Sequence, residues 1–82
     1  MNIKIIGFDT KNGVKLLKNL EKAVKELKCP SNISKIASKN RDRYGIKITP
    51  TLIIEDDVIA SGNILTDREI KNIIKEKLSL SC

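Results

Sequence analysis

Reactive side chains are few in this chain. There are two cysteines, Cys29 and Cys82, separated by 53 positions, and no histidine. A thiolate attacks disulfides and binds soft metals, but this separation matches none of the familiar zinc spacings. The lack of histidine excludes the Ser-His-Asp triad and every imidazole acid or base. "DTKNG" (9–13) opens like a calcium loop but lacks the acidic spacing and the closing glutamate. "GFDTKNGVK" (7–15) has one residue too many for the Gly-x4-Gly-Lys-Ser/Thr phosphate loop, and Lys15 does not follow the glycine directly. In a milder reading, free N–H groups at a helix start beside Lys11 hold an anion. In a simpler one, Asp9 or Thr10 caps the helix. "EDD" (55–57) sets three carboxylates at a turn and reads as a solvated hairpin tip rather than a metal site. What remains is "TPT" (49–51), a proline at the mouth of the apolar run "LII". Proline has no N–H to give to a sheet, so its place there needs a reason.

The elements that must position these residues follow from hydrophobic period and punctuation. "NIKIIGF" (2–8) is a short apolar run ending beside Gly7 and reads as a buried strand. Residues 9–29 carry apolar side chains at 16, 17, 20, 23, 24 and 27, one face of a helix. Asp9, Thr10 or Asn12 is placed to cap it and Pro30 to stop it. Lysines 11, 15, 18, 22 and 25 form the opposite stripe, which as a solvated helix back needs no partner. "SNISKIAS" (31–38) is a strand of imperfect alternation, and residues 39–45 form a short helical turn ended by Gly45. Residues 49–55 and 58–61 are β-rich runs joined by Asp56-Asp57 as a hairpin turn. "TDREIKNIIKEKL" (66–78) is a helix opening on a capping box, Thr66 to Glu69.

The whole chain, 1–82, is expected to be a single domain, since a chain of 82 residues buries roughly 60% of its unfolded surface. Forty per cent apolar and 32% charged residues are ordinary for a soluble protein. No apolar run approaches the roughly 20 residues that cross a bilayer, and the start of the chain lacks a signal-peptide pattern. A cytoplasmic chain with no membrane partner is expected. The net charge of +6 is lopsided: residues 1–54 hold twelve Lys/Arg against four Asp/Glu, residues 55–82 four against six. A basic half suits a phosphate-rich partner. Phe8 and Tyr44 are the only aromatic residues, however, too few for a base-stacking platform, so nucleic acid is disfavoured.

The order strand, helix, strand, short helix, strand, strand, helix, with "YGIKITPTLII" (44–54) opening the third strand, resembles the thioredoxin-like fold. Its members carry Tyr-Gly-Ile-Arg-x-x-Pro-Thr followed by apolar residues. Tyr44, Gly45, Ile46, Lys47, Pro50 and Thr51 fit that pattern, and Gly62 falls where the family has a glycine after the last strand. The compact form is similar to the small redox-active disulfide, glutaredoxin-like members, and the resemblance covers nearly the whole chain. It implies an α/β domain of βαβαββα type, a four-stranded mixed sheet with helices on both faces. It also implies a cis Thr49–Pro50 bond at the strand start, where no ladder donor is required. The cis form of an X–Pro bond costs only ~0.5–1 kcal/mol. Finally, it implies that the backbone of Thr49 pairs with an extended peptide by strand addition, in a groove lined by Phe8, Thr10, Gly13, Thr49 and Pro50.

One departure from the family decides the expected function. The small members place Cys-x-x-Cys between the first strand and first helix. In the corresponding frame here, "GFDTKNGVKL" (7–16), Thr10 stands at the attacking position and Gly13 at the resolving one. Threonine forms no mixed disulfide, and glycine has no side chain to resolve one. By the implied topology Cys29 and Cys82 both lie at the pole opposite the Thr10 loop and read as two separate structural thiols. The expectation is therefore a degenerate thioredoxin-like protein without catalytic residues or cofactor, which binds a protein or peptide partner. The alternatives are a thiol-disulfide redox protein acting through Cys29 and Cys82, and an electrostatic binder of anionic partners. The second strand, an exposed edge, is able to pair with a second copy.

Overall fold

The first apolar run forms β1 (Asn2–Ile6), in which Ile3, Ile5 and Ile6 are buried. The computed structural model describes residues 1–28 and 31–80. In it β1 pairs in parallel with β2 (Asn32–Ile36) and antiparallel with β3 (Thr51–Ile54). β3 pairs antiparallel with β4 (Asp57–Ser61), so the sheet order is β2-β1-β3-β4. A parallel pair needs a crossover, and α1 (Lys11–Leu27) supplies it between β1 and β2. A short 3₁₀ helix, Ser38–Tyr44, stands between β2 and β3, and α2 (Asp67–Leu80) follows β4. This is the mixed βαβαββα sheet that the sequence leads one to expect.

Alternation along β1 sends Ile3 and Ile5 to one face and Ile6 to the other. On the first face α1 and α2 pack side by side, and Leu16, Leu20, Ala23, Ile70 and Ile74 close a core over Ile3, Ile5, Leu52 and Ile54. Burying each such Leu or Ile side chain contributes roughly 1.5–3 kcal/mol. On the second face the 3₁₀ helix lies against β1, and Ile6 is fully buried. Helices thus cover both faces.

Boundaries depart from the sequence reading where backbone chemistry decides them. Of the three capping candidates for α1, Thr10 serves as N-cap. The helix ends with Lys28 in the left-handed region at φ 51°, its N–H returned to the Lys25 carbonyl. Pro30, assigned as the stop, lies outside the described residues. The hairpin turn is Glu55-Asp56, one residue earlier than Asp56-Asp57. Both Glu55 and Asp56 have positive φ, as a two-residue turn matched to strand twist requires, and Asp57 already pairs with Ile54. The register then shifts between Leu52 and Ile53, which leaves Ile59 as the extra residue of a bulge, packed against the core. The capping box at Thr66 forms in full: the Glu69 N–H donates to Thr66 Oγ1 at 3.2 Å, and the Thr66 N–H to Glu69 Oε1 at 3.2 Å.

Candidate functional site

The end of the sheet where β1 finishes and β3 starts gathers three loops. The first runs from Gly7 to Thr10. Gly7 has φ +87°, and its N–H donates to the Ile36 carbonyl at 2.8 Å. Its own carbonyl oxygen turns toward α1 and accepts from the Thr10 N–H at 3.0 Å and the Thr10 hydroxyl at 2.8 Å. The same hydroxyl accepts from the Gly13 N–H at 2.9 Å. Thr10 is thereby committed as donor and acceptor, and a helix-start N–H that would serve an anion is already satisfied. A Cβ at residue 13 would lie 1.9 Å from the Gly7 oxygen, so backbone occupies the space a side chain there would need.

Asp9, one of the capping candidates, serves the neighbouring element instead. Its Oδ1 accepts from the Ser38 N–H at 2.9 Å, and its Oδ2 from the Ser38 hydroxyl at 3.3 Å. The Ser38 N–H holds the Asp9 carboxyl below its ordinary value, with a smaller contribution from the positive charge of Lys39. This contact fastens the 3₁₀ helix to the loop before α1. No local pattern discloses it, because its partners lie 29 residues apart.

The second loop brings the chain from Tyr44 into β3. Gly45 ends the 3₁₀ helix in the left-handed region at φ +69°. The Thr49–Pro50 bond is cis. Pro50 needs no ladder donor here, since β3 begins at Thr51. Thr51 is fully buried, and its hydroxyl donates to the Ile48 carbonyl at 2.5 Å. The Pro50 carbonyl accepts from the N–H of Gly62, in the third loop, at 2.8 Å. Between these anchored residues, the N–H and C=O of Thr49 hydrogen-bond to nothing among the described residues. Its side chain packs against the bare Cα of Gly7, where an added Cβ would meet Thr49 Cβ at 2.6 Å.

Gly7, Thr10, Gly13 and Thr49 are therefore adjacent, with Pro50 next along the chain. Gly13 and Pro50 are buried, whereas Phe8, Thr10 and Thr49 are half-buried. One neighbour escaped the sequence reading as a site residue. Ile48, next to Thr49, is 56% exposed and overlies Gly62, whose added Cβ would meet Ile48 Cγ2 at 2.8 Å. An isoleucine in an apolar stretch gives no sign that it faces solvent. The carboxylates of residues 55–57 lie at the far end of the sheet, where Glu55 Oε1 accepts the Asn2 N–H at 2.9 Å and Asp57 pairs with Lys77. Among the described residues no three His, Cys, Asp or Glu side chains gather to hold a metal ion, and no helix is long and apolar enough to cross a membrane. Cys29 and Cys82 lie outside the described residues.

Residues 1–75 match the family model of a thioredoxin domain. The chain belongs to the thioredoxin family. No curated protein matches it. The family match spans every element that builds the site, from β1 into α2, while Cys82 falls beyond it.

Proposed function

We propose that this thioredoxin-family domain is a non-catalytic binding module that holds a protein or peptide partner in extended form along Thr49. The observation that carries the reading is the N–H and C=O of Thr49, both unpaired among the described residues and flanked by anchored backbone. An extended peptide offers the complementary pair, so docking adds a strand through two backbone hydrogen bonds. Phe8, Thr10 and Thr49 line the groove, and Gly13 and Pro50 form its floor. Thr10 and Gly13 stand where thiol-exchanging relatives of this compact type carry cysteine, and a committed hydroxyl and a bare Cα cannot form or resolve a mixed disulfide.

The reading is tested by following the backbone amides of the isotope-labelled chain during titration with an unfolded, thiol-blocked polypeptide. Shifts centred on Gly7, Phe8 and Thr49, with slowed hydrogen exchange at Thr49, are expected. Binding that leaves the Thr49 amide unmoved would sink the reading.

A further inference from the structure

We infer that the occupant of this groove is an acidic peptide segment, an inference that rests on the binding reading above and specifies the partner's chemistry. The elements that lead into this end of the sheet carry several cations: Lys39, Arg41 and Arg43 on the 3₁₀ helix, Lys47 on the loop after it, and Lys11 and Lys15 at the start of α1. All six are exposed. None forms an ion pair among the described residues. The three ion pairs found there, Lys22–Asp67, Lys71–Glu26 and Lys77–Asp57, use other lysines.

The acidic groups at this end are already engaged or outnumbered. Asp9 is held by Ser38, which leaves Asp42 among the cations; Asp67, at the start of α2, pairs with Lys22 further along α1. The acidic turn, Glu55 to Asp57, sits at the opposite end of β3. The first turn of α1 contains no acidic residue and begins with Lys11. A helix start carries about half a positive charge, so lysine there is locally unfavourable. Such a departure from the local rule is expected where function sets the residue.

Like-signed groups around one groove act together, raising the encounter rate with an oppositely charged ligand and rejecting cationic ones. A peptide is favoured over a nucleic acid because Thr49 presents a donor and an acceptor on one residue, which an extended peptide backbone complements in full. Exposed Ile48 adds an apolar contact beside them. Tyr44 is the only large aromatic exposed among the described residues, too little for base stacking.

The test uses the full labelled chain and three probes: a short peptide alternating glutamate with threonine, its counterpart with glutamine for glutamate, and a short oligothymidylate. The glutamate peptide is expected to shift Thr49 and to bind about tenfold more tightly than the glutamine peptide at low salt, a gap that narrows as salt is added. An Arg41→Gln/Arg43→Gln/Lys47→Gln variant, its fold checked by circular dichroism, is expected to lose that gap while keeping its affinity for the glutamine peptide. Equal binding of both peptides at Thr49 overturns the acidic preference and leaves the groove standing. Shifts confined to the outer stripe of α1, or tighter binding of the oligothymidylate, also overturn it. If neither peptide moves Thr49, both readings fall.

Discussion

At residue 13 the first turn of α1 passes so close to the preceding loop that an added Cβ would lie 1.9 Å from the Gly7 oxygen. Gly13→Ala forces backbone apart and is expected to cost at least the ~1–3 kcal/mol of an overpacked core. Gly45→Ala meets open space and bears only the left-handed penalty, roughly 1–2 kcal/mol. Chemical denaturation of the two variants should rank Gly13→Ala as the more damaging. Asp9 gives a pH-dependent counterpart. Its carboxyl binds a proton less readily folded than unfolded, so its bonds to Ser38 stabilise the fold above the ordinary aspartate value. That stabilisation is lost as the pH falls through the lowered native value. Denaturant midpoints across the acid range should show Asp9→Asn trailing the natural chain at neutral pH, with the difference shrinking below about pH 4. Thr10 and Gly13 draw attention in sequence only through the resemblance, which sets them at the cysteine positions of the small members. The Gly7 carbonyl that closes the space is invisible there, since a tertiary approach of backbone to backbone leaves no residue pattern.

The elements were legible wherever apolar period and capping chemistry agreed. α1 shows this: the spacing sets Leu16 and Leu20 on one apolar face, and both are fully buried. Truncating Leu20 or Ile74 to alanine should cost ~2–5 kcal/mol, measured by denaturant unfolding, because both lie where the two helices meet the sheet. Exposed Leu78 falls on the same helical stripe, and Leu78→Ala should cost far less. Turn positions were less legible. Glu55-Asp56 replaced Asp56-Asp57 because the pairing of Ile54 with Asp57 fixes which two residues turn, and three consecutive carboxylates carry no mark of register. The 3₁₀ helix was visible through Gly45, but its fastening through Asp9 and Ser38 was not, because strand pairing and a crossover first bring those residues together.

For the whole molecule, the lopsided charge read from the sequence acquires a geometry. Lys11, Lys39, Arg41, Arg43 and Lys47 stand on elements that meet at the end where β1 finishes and β3 starts. The acidic turn lies at the other, where Asp57 pairs with Lys77 and α1 finishes on Lys25 and Lys28. Under the acidic-peptide proposal, the exposed cations of the first end steer the ligand over distances comparable to the Debye length, about 8 Å at physiological salt. The same end contains the Thr49 backbone, unpaired among the described residues, and a helix start with no thiol, and the proposed function is therefore binding rather than disulfide exchange. That assignment is tested most directly by insulin reduction with dithiothreitol, followed as turbidity with and without the natural chain. The expected result is the same onset as with dithiothreitol alone. An earlier onset that disappears in a Cys29→Ser/Cys82→Ser variant would contradict it and make those two thiols the working residues.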